Sequence, residues 1–237
     1  DSLADIVLED PGDGLGKARN MGISAAGQKY VLNSGSDNIF PPRAIERMLN
    51  WLQTSQADGV SAQTQVTSQN FLGRGLNAWR TGRFRPGPAL VIGTPTLFHG
   101  HLLRANPYDD DRRFSDDSEL CERWTRNFGA RFEISDAIVI EQGKTTWKEV
   151  VTRAHMYGVS DHEVFTSGRI QRWSWYRKIK SLMHPLIVDL LQPLCRLSLR
   201  QRLMNAPFLV FFVAMRYHGW LSAATSSDSN QFIVMNK

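Results

Sequence analysis

Only two of the 237 residues are cysteine, Cys121 and Cys195. They are too few and too far apart for a disulfide framework, which points to a reducing, cytoplasmic compartment. Long apolar runs are also missing. The stretch Pro207 to Met215 is closed by Arg216, and a spanning helix needs about 20 apolar residues, so this stretch is not a membrane span. The opening residues Asp1 to Asp5 lack both the basic start and the apolar run of a secretory leader. There is no internal repeat and no low-complexity segment. Acid is scarce in one region only. Residues 165–237 hold 10 Lys/Arg against 2 Asp/Glu, a net +8, whereas residues 1–164 hold 18 against 21, a net −3. The basic character therefore belongs to the tail, which asks for an anionic surface as its partner. A nucleic-acid partner is disfavoured, because the remainder is net acidic and carries no reading motif.

What is present is ordinary for a soluble globular chain: 42% hydrophobic and 22% charged residues, enough for one or two packed domains. Asp5 to Glu9 reads as a strand and Asp10 to Gly14 as a turn. The segment Gly14-Leu15-Gly16-Lys17-Ala18-Arg19-Asn20-Met21-Gly22-Ile23 then opens a helix that ends near Gly27. Glycines ahead of a helix let backbone N–H groups approach a phosphate, although the same glycines also suit a plain tight turn. The central stretch is Tyr30 to Pro42, where a short apolar strand runs into a polar turn ending on Asp37. A carboxylate at the C-terminal tip of a strand is where an α/β protein places a metal or ligand contact. Pro42 suits the start of a helix whose apolar face is Ile45, Met48, Leu49 and Leu52.

Gly59 to Val66 alternates as a strand. Gln69 to Pro88, rich in glycine and arginine, reads as a long loop, either functional or merely solvated. Ala89 to Thr94 reads as a buried strand, and an acidic loop covers Tyr108 to Asp111. Asp116 with Glu119 has the spacing of a capping box opening a helix that Gly129 stops. Arg131 to Ile134 and Ala137 to Glu141 are strand-like, and Thr146 with Glu149 opens a further helix ending at Gly158. Alternating strands and helices predict a mostly parallel sheet flanked by helices, with a domain boundary near residue 164. Beyond it, Arg169, Arg172, Arg177, Lys178 and Lys180 interleave with Trp173, Trp175 and Tyr176. This basic, aromatic, amphipathic helical tail either lies in a membrane surface or packs back on the domain.

The quoted segment from Gly14 to Ile23, with Ala26-Gly27, Tyr30-Val31-Leu32 and Ser36-Asp37-Asn38, resembles the middle of a family 2 glycosyltransferase. Gly93 to Phe98 and Ser115 to Arg123 resemble its acceptor-side half, so the likeness covers about residues 5–160. It implies a GT-A fold, entered after the strand-helix-strand unit that holds the nucleobase in that family, and so N-terminally truncated. It also implies a nucleotide-sugar donor, Mg²⁺ or Mn²⁺, and inverting transfer to a glycan or lipid-linked acceptor. On this likeness Asp37 is the metal ligand, with Gly35 in place of the first acid of the family's Asp-x-Asp motif. Gly16, Arg19, Asn20 and Ser36 face the donor. Asp117 is the general base, and Asp116 stands where the family usually has glutamate, with a plain helix cap as its simpler role. His155 and His162 fit packing better than ligation. An inert binding module, favoured by Gly35, and a nucleotidyltransferase are the competing readings.

Overall fold

The computed structural model describes residues 4–10, 12–110, 116–143, 145–166 and 173–235, with backbone alone over 226–235. Asp111, Ser115, Arg169 and Arg172 fall outside the described residues. The chain divides into two compact units, Asp1–Gln65 with Phe84–Gln142, and Val66–Arg83 with Gly143–Lys237.

The first unit is a sheet flanked by helices. Its elements are α1 (Leu15–Ala26), β1 (Tyr30–Asn33), β2 (Asn38–Ile39), α2 (Ala44–Ser55), β3 (Gly59–Val66), then β4 (Gly87–Ala89), β5 (Thr96–His99), α4 (Gly100–Ala105), α5 (Asp116–Phe128) and β6 (Phe132–Glu141); α3 (Phe71–Arg83) intervenes in sequence but belongs to the second unit. The strand order is β1-β5-β3-β6-β2, with β4 also on β6. Side chains alternate across the sheet as the pleat requires. Phe98, Phe132 and Ile134 enter one core with Ile23, Leu120 and Trp124, while Leu97, Ala137 and Val139 enter the other with Met48 and Leu52.

The sheet is mixed rather than mostly parallel. The β1–β5, β3–β5, β2–β6 and β4–β6 pairings are all antiparallel. The parallel expectation survives only for the strands that the helix alternation could count. Asp58 N–H donates to the Arg131 carbonyl (2.8 Å) and Ser135 Oγ donates to the Ser61 carbonyl (2.9 Å), so β3 and β6 advance together. β1 shares their direction through β5. The reversed strands β2, β4 and β5 are 2, 3 and 4 residues long, too short to register as apolar runs.

Two expected strands do not form. Residues 5–9 are unpaired backbone with Ile6 and Val7 59% and 81% exposed, and of Ala89 to Thr94 only Ile92 is buried, while Leu90 is 86% exposed. A strand exists only through its ladder, and an apolar run cannot show whether a partner edge is available. The expected start of α2 also moves, to Ala44 after Arg43 at φ 66°, and the buried face is Ala44, Met48 and Leu52 rather than one that includes Ile45.

The second unit is helical: α3, α6 (Trp147–Thr166), α7 (Trp175–His184), a π-helical segment Pro185–Leu191, α8 (Gln192–Arg196) and α9 (Leu199–Met235). Its first surprise is α3, which occupies the stretch expected to be a loop. A Cβ on Gly75 would lie 2.1 Å from the Phe208 ring, and one on Gly82 would lie 2.5 Å from Pro193 Cα. These glycines are gaps that let α9 and α8 come close, not breaks in a helix. Gly158 likewise does not end α6. Its Cβ would stand 1.8 Å from the Arg216 carbonyl, and one on Gly219 would stand 2.1 Å from the His155 carbonyl, so α6 and α9 cross almost backbone to backbone. The Thr146–Glu149 capping box does form, with Thr146 N–H donating to Glu149 Oε2 (2.9 Å) and Glu149 N–H to Thr146 Oγ1 (3.3 Å).

Much of the tail is therefore core. Phe208, Leu209, Phe212 and Val213 of α9 are buried, with Phe212 5.0 Å from Trp79 between ring centroids. A boundary at residue 164 falls inside α6 and separates helices that pack together. The buried carboxylate of Asp189 is held by Trp79 Nε1 (3.0 Å), Arg83 and Arg216, and Arg216 also forks onto Asp161 at 2.6 and 2.8 Å.

Candidate active site

The site gathers at one acidic helix end in the first unit. Asp116 and Asp117 form the first turn of α5, where the helix dipole favours negative charge. Glu119 does not close a capping box with Asp116; it pairs with Arg123 one turn on (2.9 Å), and the Asp116 carboxylate is held by Arg19. The same guanidinium donates to Asp117 Oδ1 (2.8 Å), while its other nitrogen donates to Thr94 Oγ1 (2.9 Å) and the group lies 5.0 Å from the centre of the Tyr108 ring. The phenol of Tyr108 donates to Asp117 Oδ1 (3.2 Å) and accepts from Asn33 Nδ2 (3.0 Å).

α1 holds the acidic pair through Arg19 and the neighbouring loop through Asn20. Asn20 clamps the loop that carries Tyr108: its Nδ2 donates to the Tyr108 carbonyl (2.8 Å) and to Asp110 Oδ1 (2.7 Å), and its Oδ1 accepts from Tyr108 N–H (3.0 Å). The space beside Gly16 is filled by the Asp109 carbonyl, 2.2 Å from where a Cβ would be. Of the residues expected to face the donor, Gly16, Arg19 and Asn20 are all engaged in building this corner, and Ser36 lies exposed in the turn after β1. Sequence reasoning missed Tyr108, Asn33 and Thr94. Asn33, the last residue of β1, stands where a strand-end rule could have found it; a tyrosine in a loop carries no such signal.

The charges are uneven. Burial, opposed by Arg19 and reinforced by Asp116, pushes the Asp117 carboxyl up to about 6. Burial and the charge of Asp117 raise Tyr108 well above the usual phenol range, so it remains a donor. A carboxylate poised near 6 is mostly ionised at neutral pH yet more basic than an exposed aspartate, as proton abstraction from a hydroxyl requires. Gly93 lies beside this carboxylate: a Cβ there would stand 3.8 Å from Asp117 Oδ2. Cys121, buried behind it, has its thiol pushed up to about 12 by burial and is no nucleophile.

Asp37 sits beyond Asn33 in the turn leaving β1. Its carbonyl accepts from Gln142 N–H (2.8 Å), and a Cβ on Gly35 would lie 2.5 Å from Asp37 Oδ1. The carboxylate of Asp37 thus folds over the place where a first acid would stand. Among the described residues no group of three or more His, Cys, Asp and Glu could hold a metal by itself. One carboxylate is nevertheless enough for a cation that arrives on a substrate diphosphate, since Mg²⁺ is commonly held by one or two carboxylates plus phosphates and water. His155 and His162 lie in α6, the first 5.5 Å from His218 and the second edge-on to Trp220 at 5.2 Å, which is packing.

The profile described as Glycosyl transferase family 2 matches residues 5–138. Among solved structures, the mannosyltransferase PcManGT from Pyrobaculum calidifontis, in complex with GDP-Man and Mn²⁺, is similar at TM-score 0.54 and 15% identity, covering 92% of this chain and 68% of that one. TarS 1–349 of S. aureus, in complex with UDP-GlcNAc, aligns at TM-score 0.47 and 11% identity over 94% of this chain and 74% of that one, too distant to carry an argument. No curated protein matches.

Proposed function

The chain belongs to glycosyl transferase family 2, and from that premise we propose a metal-assisted, inverting sugar transfer from a nucleotide-sugar donor to the hydroxyl of a glycan or lipid-linked acceptor at the cytoplasmic face of a membrane. The observation that carries this reading is the half-buried Arg19–Asp117–Tyr108–Asn33 chain. It joins a carboxylate of raised pKa at one helix end to the strand tip from which Asp37 leaves.

In this reading Asp117 accepts the proton of the attacking acceptor hydroxyl. Tyr108 and Arg19 hold the carboxylate in place and stabilise its charge; Arg19 is a positioning residue rather than a donor contact, and Asp116 fixes Arg19. Asp37 would hold the Mg²⁺ or Mn²⁺ that arrives with the donor diphosphate. When bound, such a cation neutralises charge on the leaving nucleoside diphosphate. PcManGT, with GDP-Man and Mn²⁺, is a precedent for that pairing on this fold.

The test is turnover of a nucleotide-sugar panel with Mn²⁺ by wild type, Asp117→Asn and Asp37→Ala. Release of nucleoside diphosphate should fall by about 10²–10⁴-fold in Asp117→Asn, the usual worth of a general base. Equal turnover in wild type and both variants would remove the assignment.

A further inference from the structure

In the second unit an exposed apolar stripe runs beside a cluster of cations. α7 buries none of its residues, and Trp175, Tyr176, Ile179 and Met183 are 74%, 67%, 48% and 37% exposed. The i, i+4 spacing continues through the π-helical segment as Ile187 and Leu191, 45% and 47% exposed. Five large apolar side chains in register, with Tyr176 beside the first, are not the scattered surface hydrophobes of a soluble protein. α7 is anchored near its C-terminal end, since Tyr217 Oη donates to the Leu182 carbonyl (2.7 Å).

The charge around the stripe selects the occupant. Arg177, Lys178 and Lys180 stand on α7 itself, and from residue 173 to residue 225 the only acid is Asp189, which is wholly buried between Arg83 and Arg216. An aromatic and aliphatic stripe on a helix that carries three cations and no acid of its own matches the boundary of an anionic bilayer, where Trp and Tyr sit at headgroup level and Lys/Arg meet phosphates. No helix among the described residues is long and apolar enough to cross a membrane, so contact along one face is the remaining geometry.

We infer that α7 and the π-helical segment dock in the plane of an anionic membrane, with Trp175, Ile179 and Met183 in the headgroup–acyl boundary and Arg177, Lys178 and Lys180 on lipid phosphates. This deepens the membrane side of the proposed function. Vesicle binding is read without any sugar donor, so its failure and the failure of the transfer chemistry are separate results.

The experiment is co-sedimentation of the full chain with phosphatidylcholine vesicles, with and without 30% phosphatidylglycerol. The variants are Arg177→Gln/Lys178→Gln/Lys180→Gln and Ile179→Asp/Met183→Asp, with circular dichroism to confirm that these exposed changes leave the helices intact. Wild type should pellet with anionic vesicles only. Each lost cation should weaken binding roughly fivefold, or about a hundredfold for the triple variant, and the double variant should abolish it. Equal pelleting with neutral vesicles, or unchanged binding in both variants, would overturn the inference. So would sizing that shows a dimer broken by Ile179→Asp/Met183→Asp, because the stripe would then belong to a second copy.

Discussion

At the scale of single residues, the site is a contest over the charge of Asp117. Burial raises its pKa to about 6, Arg19 pulls it down and Asp116 pushes it up. If Asp117 is the base, kcat/KM should climb with pH along a limb centred near 6. Removing the neighbouring negative charge by Asp116→Asn should move that limb down, and removing the cation by Arg19→Gln should move it up, each by about one unit or more for charges at this distance. The stability consequence has the opposite sense. The folded state binds the Asp117 proton more tightly than the unfolded chain, so this group's contribution is full below the unfolded value of 3.8 and is lost as pH rises through about 6. Asp117→Asn should therefore melt no lower than wild type at pH 8 while losing turnover, and a melting temperature well below wild type would contradict a carboxylate charged at the expense of burial.

The family resemblance pointed to the residues of this corner but not to how they are joined. Residue types alone offered a helix cap for Asp116 and a charged fork on the first turns for Arg19. That Arg19 would be spent on both acids, and Asn20 on the backbone of Tyr108, depends on contacts 88 to 98 residues apart. No local spacing encodes them.

At the scale of elements, glycine was the residue most misjudged. Gly73, Gly75 and Gly82 made α3 look like a loop, and Gly158 made α6 look shorter than it is, because in sequence a close-packing glycine and a helix stop are identical. Where φ is positive the stop was real: Gly27 and Gly129, at φ 54° and 69°, end α1 and α5 as expected. The packing role has a measurable cost. Gly158→Ala places a Cβ 1.8 Å from the Arg216 carbonyl, and since backbone cannot swing aside, the loss should reach or exceed the ~1–3 kcal/mol typical of overpacking. Gly22→Ala, on a helix with open space around that position, should be neutral or slightly stabilising. Chemical denaturation of the two variants checks the pair. In the same unit, burial opposes the charge on Asp189, yet Arg83 and Arg216 outweigh it and hold its pKa below 3.8. Asp189→Ala removes the buried carboxylate that Arg83 and Arg216 share, leaving Arg216 its fork onto Asp161, and about 3 kcal/mol of stability should go with it.

At the scale of the whole molecule, the charge division read from the sequence and the structural division do not coincide. The boundary near residue 164 followed a change in composition, but α3 comes from the first half of the chain and packs with α6, α8 and α9 in the second unit. Deleting residues 165–237 would uncover Trp79, Leu76 and Gly75, so the shortened chain should aggregate rather than behave as a clean catalytic domain; a monodisperse, folded 1–164 would refute that. The alternation of strands and helices made the sheet-and-helix architecture legible, whereas the direction of β2, β4 and β5 was not, because strands of two to four residues leave no periodic trace.

The most direct measurement is the pH dependence of sugar transfer, followed as nucleoside diphosphate release, in wild type, Asp116→Asn and Asp117→Asn. The structure predicts a rising limb near pH 6, its downward displacement in Asp116→Asn, and loss of both limb and rate in Asp117→Asn. A flat profile across pH 5 to 8, or an Asp117→Asn enzyme that retains the wild-type limb, would contradict it.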